Sequence, residues 1–215
     1  MRKLRTLGVA LVAVVALGVV MASAAQASKF TASEYPATIT GEQEAGQINR
    51  LTIGSNYFQC GTGNYHGTMT EASSTLTTTI DITGCETSFG TEATVDNNGC
   101  DYLLHSGAEV TPDVFSATLD LVCPVEKEVT ITLGLCTIHI KPQKGLGGVI
   151  LTNKTEGTRK DVTVDTSIQL EANVTNVFLC PLTTGVQTVT TDGKDTYKAY
   201  KDGPPEGAQL DFWVD

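Results

Sequence analysis

Aromatic residues make up only 6% of this 215-residue chain, with a single tryptophan, Trp213, and there are only three histidines. So few aromatics argue against the stacking platforms that sugar clefts use. Basic residues are also short: 14 lysines and arginines against 24 acidic residues leave a net charge of −10. An acidic surface repels phosphate backbones and anionic lipid, so no nucleic-acid partner and no peripheral membrane binding are expected. The two closest cysteines, Cys123 and Cys136, are 13 residues apart. Zinc sites want close pairs such as C-x₂-C, and neither a metal nor any other cofactor is expected. No G-x-S-x-G occurs, which removes the nucleophile elbow of the α/β-hydrolases. Finally, no window of 10 to 12 residues carries a 3.6-residue apolar period, so helices, and the parallel sheets that need them as crossovers, are not expected.

What the chain does have is a leader. Arg2, Lys3 and Arg5 precede an uncharged apolar run from Leu7 to Val20, and Ala25-Gln26-Ala27 is an A-x-A cleavage site, the layout of a secretory signal peptide. Residues 1–27 are therefore read as leader and 28–215 as one disulfide-bridged all-β domain. No cysteine lies near the cleavage point and the arginines are not paired, which disfavours lipoprotein and twin-arginine routes. Nothing later is long and apolar enough to span a membrane as a helix. Without the leader, 11 basic residues face 24 acidic ones, a net −13. The expected location is secreted, extracellular or in the cell envelope.

The recurring signal after the leader is period two. Leu76, Ile80 and Ile82 alternate with threonines and Asp81; Ala117, Leu119 and Leu121 alternate similarly, as do 129–133, 136–140 and 162–170, where Thr163, Asp165, Ser167 and Gln169 face outward. Such runs are half-buried strands. Turn signals separate them at Asn97-Asn98-Gly99, Glu156-Gly157, Asp192-Gly193 and Asp202-Gly203-Pro204-Pro205. Strand after strand without helix predicts an antiparallel β-sandwich, Ig-like or jelly-roll-like.

Six cysteines in an exported chain predict three disulfides, chosen from 15 possible connectivities. Opposing Cys100 to Cys123 in one hairpin places Tyr102 opposite Leu121 and Leu104 opposite Leu119, all six on one face, with a connection over Gly107–Asp113. Opposing Cys60 to Cys85 matches Tyr65 with Ile80 and Met69 with Leu76, but leaves the cysteines on the other face. That discrepancy calls for a bulge at Gly61, Gly63 or Gly84. Cys136 with Cys180 follows by elimination.

Chemistry-bearing residues read mostly as surface. His66, His105 and His139 fall on outward strand positions. His105-Ser106 with Asp113 outlines a triad fragment only in sequence, and a triad is a matter of geometry. Asp96 to Asp101 superficially matches a D-x-N calcium loop, but Cys100 and an early Gly99 spoil it, so it reads as a turn. Asp192, Asp195 and Asp202 form a loose acidic cluster of weak metal-binding character. Asn153-Lys154-Thr155 and Asn173-Val174-Thr175 match the N-glycosylation pattern. No catalytic residue is assigned.

Phe89-Gly90, Ala93-Thr94-Val95, Asn98-Gly99-Cys100-Asp101-Tyr102, Val122-Cys123-Pro124, Cys136 to Gln143, Gly145-Leu146 and Thr152-Asn153 together resemble a recurring set of exported six-cysteine β-rich proteins of actinobacteria. Members usually read Asn-Gly-Cys-Thr-Tyr, so Asp101 is a departure. The resemblance implies a signal peptide and a β-rich fold, and it carries no activity or site residue across. Two functions are open. One is a noncatalytic extracellular protein, structural or surface-interacting, with an extracellular protein or glycan as partner. The other is a secreted carboxylate glycosidase, which would need two carboxylates about 5 to 9.5 Å apart in one cleft. An outer-membrane β-barrel is a distant third, since no aromatic girdles are evident.

Overall fold

A computed structural model describes residues 28–176, 180–204 and 207–215. The leader expected over 1–27, and Pro205 of the last expected turn, lie outside these described residues. Within them the chain is strand after strand and contains no helix. The first half comprises β1 (Phe30–Ala32), β2 (Ala37–Gln43), β3 (Asn49–Ile53), β4 (Asn56–Met69), β5 (Thr75–Thr87), β6 (Glu92–Asp96), β7 (Asp101–Thr111) and β8 (Val114–Val122). There follow β9 (Val129–Leu133), β10 (Cys136–Ile140), β11 (Gln143–Glu156), β12 (Arg159–Asn176), β13 (Gly185–Tyr200), β14 (Gln209–Leu210) and β15 (Phe212–Val214).

The fold is all-β and antiparallel, as the alternation implied, and its sandwich-like layers join edge to edge in two closed circuits of pairing. The first runs β5-β7-β8-β11-β12-β13-β2-β4 and back to β5. The second runs β5-β6-β9-β10-β12-β13-β3-β4 and back to β5. The long strands β4, β5, β12 and β13 belong to both. Each ring has eight strands, a number whose interior is just wide enough for side chains or one small ligand. Closure also removes the free edges along which sheets aggregate.

The period-two pattern decides which face looks inward. On β12, Val162, Val164, Ile168, Leu170, Ala172 and Val174 are buried, while Asp165, Gln169 and Glu171 on the intervening positions face solvent. Charge outside and aliphatic side chains inside is the inverse of a lipid-facing barrel. No helix among the described residues is long and apolar enough to cross a membrane. The first ring's far end is capped by the β1–β15 ribbon, whose Phe30 and Phe212 rings stack with centroids 6.2 Å apart.

Three disulfides lock this arrangement: Cys60–Cys85, Cys100–Cys123 and Cys136–Cys180. Cys100 and Cys123 extend the β7–β8 hairpin, where Asp101 pairs with Val122, Tyr102 with Leu121 and Leu104 with Leu119. The connection is tighter than expected: β7 continues through two register shifts to Thr111, and the turn is Pro112-Asp113. Cys60 lies opposite Cys85 and Tyr65 opposite Ile80 in one unbroken register. The expected bulge is absent from that register. Instead both strands switch faces together where Gly61 opposes Gly84, whose φ of +64° a side chain would resist. On one side of the switch Ile80 is buried, and on the other Cys60 and Cys85 are.

Candidate functional site: a cavity where the rings meet

Where the two rings join, strands part to enter one ring or the other, and the inward side chains no longer close the space. A cavity of about 160 Å³ lies there, walled by residues of both rings. Most of its wall is aliphatic, including Ile80, Ile82, Leu121, Ile131, Val164 and Ile168. Deeper in the second ring the packing is tight, with a residual void of only about 10 Å³ among Leu51, Phe58, Leu133 and Ile138.

One wall is polar. Asp195 of β13 is only 2% exposed and points inward, in phase with the buried Tyr197 and Ala199. Asn49, at the start of β3, donates from Nδ2 to Asp195 Oδ1 at 3.2 Å. Glycines make this reach possible: a Cβ on Gly193 would lie 2.1 Å from Asn49 Oδ1, and one on Gly63 would lie 2.9 Å from Asn49 Nδ2. Gly41 similarly leaves room for Tyr65 and Tyr197, whose ring centroids are 5.1 Å apart. The cavity approaches solvent along the β3–β13 wall, where the half-exposed Arg50 and Asp192 line it. Arg50 itself turns away, stacking 4.3 Å above the Tyr57 ring and donating to Gln59.

No lysine, arginine or histidine comes within 4 Å of the Asp195 carboxylate among the described residues. Burial in an apolar wall pushes its pKa up to about 6; hydrogen bonds from Asn49 and Tyr65 offset part of that, and the charge of Glu44 adds to it. Burial also raises the tyrosines Tyr65, Tyr197 and Tyr102 above their ordinary range, so all three stay neutral. A buried acid with a perturbed pKa and no cationic partner, lining a cavity, is a site to explain rather than a packing detail.

The expected acidic cluster does not assemble. Asp192 faces outward and accepts from Ser167 at 2.7 Å, Asp202 sits in a later turn at φ +63°, and only Asp195 turns inward. Trp213 lies outside the cavity, beside Lys160 on the capping ribbon. The cavity wall therefore has no facing pair of inward carboxylates with an aromatic platform, and the glycosidase reading gains nothing. The triad fragment also separates: Ser106 turns inward to Ser74 O at 3.2 Å, whereas His105 turns outward between Thr75 Oγ1 at 2.9 Å and Asp120 Oδ2 at 3.3 Å. His139 sits likewise between Glu128 at 2.8 Å and Thr175 at 3.1 Å. Both carboxylate-His-Thr chains lie on outer sheet faces away from the cavity, where neighbouring backbone N–H groups are engaged in the ladder and cannot serve as an oxyanion hole. Asp96 and Asn98 form the turn expected there, Asn98 N donating to Asp96 Oδ1 at 2.8 Å.

Of the two glycosylation sequons, Asn153 is committed elsewhere. Its Nδ2 donates to Val214 O and its Oδ1 accepts from Val214 N, both at 2.8 Å, docking the capping ribbon onto β11. A glycan would replace one of that nitrogen's two hydrogens, which are donated to Val214 O and, at 3.3 Å, to Asp113 Oδ1.

Comparison with protein-family models, with curated proteins and with solved structures found no match. The cavity and its polar wall are thus the guide to function.

Proposed function

We infer that this chain is an exported, noncatalytic binding module: the leader is removed after Ala27, and residues 28–215 form a disulfide-bridged β shell around one small, mainly apolar ligand. The observation that carries this is the cavity of about 160 Å³ at the ring junction. An apolar cavity of about 150 Å³ is enough to take benzene, and an eight-stranded ring is the size that holds one small ligand. Three disulfides fit an oxidising compartment, where a thin shell of this kind gains from constraint of its unfolded chain. The chain's own chemistry supports binding over turnover, since each histidine is paired on an outer face and the cavity holds a single inward acid.

The test has two parts. N-terminal sequencing of the protein recovered from the culture medium of an expressing host is expected to begin at Ser28. Titration of the oxidised protein with toluene, followed by methyl and aromatic NMR shifts, is expected to show one site with shifts confined to cavity residues such as Ile80, Ile82 and Tyr65. Retention in the cytoplasm, or no cavity shifts with either toluene or its amine counterpart benzylamine, would overturn the reading.

A further inference from the structure

We propose that the cavity at the ring junction is built for a small apolar amine, about one aromatic ring in size, whose ammonium group pairs with the carboxylate of Asp195. This deepens the reading of the chain as a binding module and rests on it.

Four observations converge. The cavity has the volume of a single-ring molecule, and its wall is aliphatic on most sides. Its one inward acid is 2% exposed and has no lysine, arginine or histidine within 4 Å among the described residues, Arg50 of the cavity wall being engaged by Tyr57 and Gln59 instead, so its charge is unpaired in a setting where that is costly. A ligand cation would supply the missing partner. The arrangement is also constructed rather than incidental: Gly63 and Gly193 on two different strands vacate the space through which Asn49 reaches Asp195. That hydrogen bond leaves the carboxylate oriented while adding no positive charge to compete with a ligand. Finally, the shell is strongly acidic after leader removal, with 24 acidic against 11 basic residues, which steers cations toward it.

An anion or a neutral hydrocarbon fits less well. An anion would meet the Asp195 carboxylate, and a hydrocarbon would leave that acid unpaired. The titratable and charged groups facing Asp195 are Tyr65 on β4, Tyr197 on its own strand and Glu44 across the wall, with Arg50 turned away toward Tyr57. Both tyrosines stay neutral, so Asp195 alone changes charge near pH 6. Cation binding needs the carboxylate, and affinity should fall as pH drops below about 6.

The experiment compares benzylamine with toluene on the oxidised full-length mature protein, by calorimetry at pH 7.5 and pH 5. Benzylamine is expected to bind at least tenfold more tightly than toluene at pH 7.5 and to lose most of that margin at pH 5. Asp195→Asn should abolish the margin. If toluene binds and benzylamine has no advantage in the wild-type protein, the amine assignment fails while the binding-module reading stands. If neither binds, both fail. The wild-type comparison needs no variant, so a poorly folding Asp195→Asn protein would not shield the proposal.

Discussion

Replacing Asp195 by asparagine should stabilise this protein at neutral pH, although it removes a hydrogen-bonded buried side chain. Asparagine keeps an oxygen to accept from Asn49 Nδ2 and has nearly the same shape, but carries no charge. The magnitude follows from the carboxyl's displacement from an ordinary 3.8 to about 6, which at 1.36 kcal/mol per pH unit amounts to about 3 kcal/mol. The sign is set by proton binding. An acid with a raised folded-state pKa holds more protons folded than unfolded between the two values, so stability falls as pH rises through that window. The cost is absent below about 4 and fully present above about 6. Urea unfolding of wild type and Asp195→Asn at intervals from pH 4 to 7.5 isolates this term, because the other acidic residues cancel in the difference. The variant should be more stable by up to about 3 kcal/mol at pH 7.5 and converge with wild type to within about 1 kcal/mol near pH 4. A pH-independent difference, or a variant less stable at pH 7.5, would refute a buried and unbalanced carboxylate. A gain would also mean that the native acid is held at a cost in stability, as binding residues often are.

The bridges should rank by the loop each closes. Cys136 and Cys180 are 44 residues apart and Cys100 and Cys123 are 23 apart, so paired serine replacement should cost about 4 and about 3.4 kcal/mol respectively in urea titrations. A cost below about 1 kcal/mol for the longer loop would contradict that account. Gly193→Ala should drive Asn49 from its slot and push the Asp195 pKa above its wild-type value, read by carboxyl NMR; an unchanged pKa would mean that Asn49 does not hold the acid. Asn153→Ala removes two hydrogen bonds to Val214 and should cost about 2 kcal/mol. Its loss should first appear as a Trp213 fluorescence change from the capping ribbon, and a Trp213 transition coincident with that of wild type would argue against local docking.

Much of the fold was legible because strand alternation and cysteine position constrain each other. Cys100, Tyr102 and Leu104 share a face with Leu119, Leu121 and Cys123, and a slip of one residue would have scattered them, so the register could be read directly. Cys60 and Cys85 were harder. Their pairing was correct, but two glycines let both strands change faces together, and this left no trace in register that a bulge would have left. The strand β11 was hidden by Gly145, Gly147 and Gly148, which interrupt alternation; at Gly148 the partner strand comes so close that a Cβ would lie 2.1 Å from Ser167 O. Ring closure was invisible because alternation identifies strands, not their neighbours, and four strands serve two rings at once. Asp195 carried a signal in its parity with Val189, Tyr197 and Ala199, all buried. A carboxylate on a threonine-rich strand is ordinarily surface, however, so only the assembled cavity separates it from Asp192.

The most direct test is a carbon-13 NMR titration of the Asp195 carboxyl, with and without benzylamine. A midpoint of about 6 in the free protein, falling by about one pH unit or more when benzylamine is present, is the result expected of a buried acid awaiting a cation. A midpoint near the ordinary 3.8, or one that benzylamine leaves unmoved, would contradict it.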